Sequence, residues 1–126
     1  MRQFLFAMLL TIPASIAAAD TLYDQCMNVA DGTNPAFAKC GGDWVARADA
    51  KLNKAWKELY ADQEEQTKKD LLAEQRLWNA YKEGSCTFLS NGDFGREGQV
   101  IHFPACRAEV IEARIKQLER YKSPEQ

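Results

Sequence analysis

The chain has 126 residues, with 16 Lys and Arg against 18 Asp and Glu and a formal net charge of −2 at pH 7. That length suits one domain built on one modest core. The mildly acidic balance argues against a nucleic-acid or anionic-membrane surface, since both call for a basic patch.

Residues 1–19 have the layout of a secretory signal peptide. Met1 and Arg2 give a positive start, Phe4 to Ile16 is an apolar run, and Ala17-Ala18-Ala19 form a small-residue cleavage site before Asp20. The run is shorter than the roughly 20 residues of a membrane span. No Cys follows the expected cleavage point, so no lipid anchor is expected. The expectation is an exported chain, periplasmic or secreted, with residues 20–126 as a single domain. Losing the leader removes one Arg and no acid, which leaves the chain slightly more acidic.

A short helix is expected at about 22–30, stopped by Asp31-Gly32. Glycine and proline then cluster at 32–42 and at 84–104, whereas 43–83 contains neither. Val45, Ala48, Leu52, Ala55, Trp56 and Leu59 follow the 3-4 spacing of one helical stripe. The spacing predicts a helix over 43–64 with Asp43 as its N-cap. A polar run from Asp62 to Gln66 interrupts it. Thr67 with Asp70 resembles a capping box and opens a second helix over 67–83, striped by Leu71, Leu72, Gln75, Trp78 and Tyr81.

Residues 84–104 read as one long loop, in which Gly92, Gly95 and Gly98 alternate with Phe88, Phe94, Val100, Ile101 and Phe103. Loops longer than about 12–15 residues are uncommon in compact domains and are often functional. The same aromatics would also serve as a lid on the core. A third helix over 105–122 carries Val110, Ile111, Ile115, Leu118 and Tyr121. No alternating pattern longer than four residues occurs. The predicted fold is all-α: an antiparallel hairpin of 43–64 and 67–83, with 105–122 packed across it and a short N-terminal helix.

Cys26, Cys40, Cys86 and Cys106 in a short exported chain read as two disulfides rather than a metal site. Pairing of sequence neighbours gives Cys26–Cys40 and Cys86–Cys106. An antiparallel hairpin also brings Cys40 and Cys86 to one end, so a crossed pairing stays open. With one histidine, His102, and no tight Cys-x-x-Cys pair, neither a metal nor another cofactor is expected. No phosphate-cradling loop, His-Glu-x-x-His or Gly-x-Ser-x-Gly motif is present, and catalysis is not expected.

Two charged residues fall on or beside apolar stripes: Asp49 follows Ala48, and Arg114 lies between Ile111 and Leu118. A charge facing a core is costly unless paired. Either the two meet across packed helices, or each reaches water at its stripe's edge.

Three segments carry a resemblance. Cys40, Asp49, Leu52-Asn53 and Trp56 resemble a first-helix signature of an acid, Leu-Asn and an aromatic. Leu72, Gln75-Arg76, Trp78, Tyr81 and Cys86 resemble a second, and Cys106, Arg114 and Leu118 a third. Together they are similar to the LprI-like lysozyme-inhibitor family, small exported helical proteins of bacteria, over about residues 40–118. The resemblance implies a non-catalytic protein that binds a protein partner, c-type lysozyme, by blocking its sugar cleft. The segment from Thr87 to Pro104 is the candidate contact, with Asp93, Arg96, Glu97 and His102 as its charged groups and Arg96 or His102 facing the lysozyme acids. An envelope or stress-related module binding another protein is the alternative.

Overall fold

The computed structural model describes residues 20–123. The expected leader, residues 1–19, lies outside the described residues. Helix α1 spans Thr21–Val29, and the Asp20 carboxylate caps it by accepting the Tyr23 amide at 2.8 Å. Asp31 then turns the chain, its carboxylate accepting the Thr33 amide at 3.0 Å and the Thr33 hydroxyl at 2.6 Å.

Helix α2 spans Asn34–Ala61, starting well before the expected Asp43. Thr33 is its N-cap, accepting the Ala36 amide at 3.4 Å, and Pro35 stands in its first turn, where a missing N–H costs nothing. Asp43 is an interior residue whose carboxylate pairs with Lys39 at 2.5 Å. Gly41-Gly42 are therefore helical rather than a boundary. A Cβ at Gly41 would meet Cβ and Cγ of Pro104 at 2.7 Å, so glycine is there to admit a neighbouring helix.

Helix α3 spans Glu65–Ser85 after a tight link at 62–64. The expected capping box does not form. Glu64 is the N-cap and makes no side-chain cap, and Asp70 instead accepts Nε2 of Gln66 at 3.1 Å. Glu and Gln are good helix formers, and the polar run that looked like a break opens the helix itself.

The expected loop 84–104 is largely helical. A 3₁₀ turn spans Thr87–Ser90, the single turn α4 spans Gly95–Glu97, and a π turn over Gly98–His102 leads directly into α5, Phe103–Lys122. Pro104 has no N–H to give to Val100, so the regular ladder cannot continue through this point. The Phe103 amide bonds the Gly98 carbonyl at the wider π spacing.

The core consists of Ala48, Leu52 and Leu59 from α2 with Ile111 and Leu118 from α5; Val45, Ala55, Trp56, Leu71, Trp78 and Ile115 pack around it. The expected stripes thus supply the core. Helix α5 runs parallel to α2, with Pro104 on Gly41 at one end and Lys122 paired with Glu58 at 2.8 Å at the other. Helix α3 runs antiparallel to both, held to α5 by Cys86–Cys106, by Arg107–Glu83 at 3.0 Å and by Arg114–Glu74. The closest packing joins α2 to α5. The disulfides are Cys26–Cys40 and Cys86–Cys106, the neighbour pairing, and both lie at the end where Gly41 meets Pro104.

The Asp49–Arg114 pairing is not formed, and Arg114 does not reach water either. Its side chain is fully buried, and its acid is Glu74 on α3. Arg114 leaves α5 toward α3, whereas Asp49 lines a hollow between α2 and α3.

Candidate functional site

The tip between α3 and α5 is tied at its base by Cys86–Cys106 and held by short-range bonds. The Leu89 amide donates to the Cys86 carbonyl at 3.1 Å, and the Ser90 hydroxyl to the Thr87 carbonyl at 2.8 Å. Asn91 closes the next turn, its side-chain oxygen accepting the Asp93 amide at 3.0 Å. Gly92 and Gly95 take positive φ, which lets the chain reverse into α4. Gly98 is buried against the Leu89 carbonyl and the Phe94 Cβ, locking the π turn onto the 3₁₀ turn.

Asp93, Arg96, Glu97 and His102 are all exposed on this segment. Arg96 donates from Nη1 to Oε1 of Gln99 at 2.9 Å, and Nε2 of His102 lies 3.5 Å from Oε1 of Glu97. Beside them, Phe88 and Phe94 meet edge to face at 5.8 Å while staying 55% and 47% exposed. They do not act as a lid; Val100, Ile101 and Phe103 are the half-buried members of the segment. An exposed aromatic pair flanked by charges of both signs is suited to docking on a protein surface. Ser85 is spent on the Lys82 carbonyl at 3.4 Å and adjoins a disulfide sulfur, a poor setting for a nucleophile.

The other singled-out residues divide between the two sides of α3. Trp78, Tyr81 and Arg114 line a hollow of about 590 Å³ between α3 and α5. Asp49, Leu52, Asn53 and Trp56 line a groove of about 340 Å³ between α2 and α3, opposite Leu72, Gln75 and Arg76. Asn79 and Lys82 complete the α3 wall. Leu118 is in the core rather than at either hollow.

Sequence reasoning missed Glu74, the exposed Phe88–Phe94 pair and the Asn79–Lys82 part of the groove. For Glu74 the available signal was an arginine on an apolar stripe, which demands an acid on a facing helix. A second cross-element pair was also missed: Arg47 donates to Asp20 at 2.8 Å, tying the start of α1 to α2. Burial works against ionisation of Asp20, but the Tyr23 amide and Arg47 outweigh it and hold the carboxyl below the usual carboxylate range.

Among known families, the model described as Lysozyme inhibitor LprI matches residues 26–118, most of the chain. The chain shows no significant similarity to a curated protein or to a solved structure.

Proposed function

The chain belongs to the LprI lysozyme inhibitor family, and we propose that it is an exported, non-catalytic inhibitor of c-type lysozyme. The family match over 26–118 is the observation that carries this reading. Two disulfides fit an oxidising compartment, periplasmic or extracellular.

The tip is the part we assign to the lysozyme cleft. Lysozyme works with a pair of carboxyl groups flanking the scissile bond. Arg96 or His102 would face those acids, and the Phe88–Phe94 pair would pack on the apolar walls beside them. Asp93 and Glu97 would meet the basic surface around the cleft, where opposite charge speeds encounter.

The test is titration of the purified protein into a cell-wall lysis assay with c-type lysozyme. Lysis should fall with added protein, and an Arg96→Ala/His102→Ala variant should need at least about tenfold more protein for the same effect, the loss of one charge-assisted contact. Undiminished lysis at saturating protein would end the proposal.

A further inference from the structure

The groove between α2 and α3 holds most of the family-motif residues, and nothing in lysozyme inhibition by the tip uses it. Its lower walls are apolar: Leu52 is buried, and Leu72 and Trp56 are half-buried. Above them Asp49 and Asn53 stand one turn apart on α2, and Arg76 and Asn79 one turn apart on α3. Among the described residues none of these four spends its side chain on a hydrogen bond or an ion pair, although Asp49 and Arg76 line the same groove. The indole N–H of Trp56 is buried and likewise lacks an acceptor among the described residues.

The charge of the groove is opposite to that of the chain. Lys57, Arg76 and Lys82, the last also 3.6 Å from Glu83, line it against the single carboxylate of Asp49, in a protein whose net charge is −2. That balance of charge favours an anion over a cation. The remaining groups are carboxamides: those of Asn53 and Asn79 donate and accept alike, whereas Gln75 has its Oε1 committed to Arg114. Hydroxyls of a sugar match that mixture, its C–H face packs on apolar and aromatic walls, and a volume of about 340 Å³ is within the range of small-ligand sites.

We propose that the groove lined by Asp49, Asn53, Trp56, Arg76 and Lys82 binds a small carboxylate-bearing saccharide. Arg76 takes the carboxylate with Lys82 adding positive charge beside it, Asp49 and the carboxamides of Asn53 and Asn79 take the hydroxyls, and the half-buried Trp56 ring packs on the C–H face. The site is separate from the tip, so lysozyme inhibition and saccharide binding stand or fall independently.

The experiment is NMR titration of the isotope-labelled chain with D-glucuronate, D-glucose and acetate, read at the tryptophan indole N–H signals. Trp44 is the internal reference, since its Nε1 already donates to Glu112 of α5 at 2.9 Å. Glucuronate at millimolar concentration should shift the Trp56 signal and amides of 49–57 and 72–82 while leaving Trp44 in place. Glucose should bind about tenfold more weakly and acetate should leave Trp56 unmoved. Arg76 and Asn53 are exposed, so Arg76→Gln and Asn53→Ala keep the fold, and each should weaken glucuronate about tenfold. An unmoved Trp56, equal shifts at Trp44, glucose or acetate matching glucuronate, or full affinity in both variants would each overturn the assignment.

Discussion

Arg114 on α5 clasps Glu74 on α3 with two nitrogens, Nη1 reaching Oε1 at 2.7 Å and Nη2 reaching Oε2. Nη2 also donates to Oε1 of Gln75 at 2.7 Å and Nη1 to Oε1 of Gln117 at 2.5 Å, while the guanidinium carbon lies 5.4 Å from the Trp78 ring centre and 5.8 Å from that of Tyr121. The arginine side chain is fully buried, whereas Glu74 is 39% exposed.

That asymmetry decides which partner matters more. Glu74→Ala strands a buried cation with only carboxamides for company and should lower stability by roughly 2–3 kcal/mol. Arg114→Met keeps the apolar volume and leaves a carboxylate that water can reach, so it should cost about 1 kcal/mol or less. The double variant should be no worse than Glu74→Ala alone. Urea midpoints measure all three. A larger loss for Arg114→Met than for Glu74→Ala would contradict this account.

The two adjacent glycines of α2 should respond in opposite directions. Gly41→Ala places a methyl into Pro104 and should destabilise by about 1–3 kcal/mol. Gly42 is exposed, helical and faces open space, so Gly42→Ala should stabilise by about 0.5–1 kcal/mol. Thermal melts of the two variants beside the parent give the signs directly.

The bridges should separate stability from binding. Cys86→Ser/Cys106→Ser releases the base of the tip, and Cys26→Ser/Cys40→Ser releases α1 from α2. With sequence separations of 20 and 14, each pair should lose about 3 kcal/mol. Only the first should also weaken lysozyme binding while the helices remain folded, because a freed tip must be ordered on docking. Circular dichroism run beside a binding titration distinguishes them, and equal binding losses would remove the tip from the interface.

Acid should undo the start of α1. The folded Asp20 carboxyl is held below its ordinary value, so its stabilising contribution is complete above the unfolded value of about 3.9 and is lost as pH falls through the lower folded value. The Tyr23 ring, 4.6 Å from that of Trp44, reports the docking of α1. Its ring-current shift should collapse below about pH 4 in the parent and be weakened but pH-independent across that range in Asp20→Asn. Identical acid profiles would show that Asp20 is not the group responsible.

The helical stripes were legible because a 3-4 spacing of apolar residues survives whatever the helices pack against: Ala48, Leu52, Leu59, Ile111 and Leu118 are all core. The start of α2 was not. Gly41 reads as a breaker along the chain, and its reason, Pro104, is far away in sequence. Arg114 announced a need for an acid, but choosing Glu74 over Asp49 requires knowing that α5 turns that side chain to α3. The π turn was invisible for a similar reason, since Gly98 follows Gly92 and Gly95 and the three resemble a loop until Gly98 is seen wedged under Leu89. At the tip, Asp93, Arg96, Glu97 and His102 were found on one exposed segment, as their closeness in sequence allows.

Both covalent ties are gathered at the Gly41–Pro104 end, so the bundle is sewn at one edge only. The opposite edge, where α2 turns into α3 and α5 finishes, is closed by Leu59, Leu71 and Leu118 and by the exposed Lys122–Glu58 pair, which salt screens. Fluctuations should therefore be graded along the long axis, with amides near 59–68 and 118–122 exchanging with deuterium soonest and those of 40–48 and 106–111 last. A protease that nicks the link at 62–64 would leave two pieces that no disulfide joins, since Cys26–Cys40 lies wholly before the cut and Cys86–Cys106 wholly after it, although the tip keeps its base.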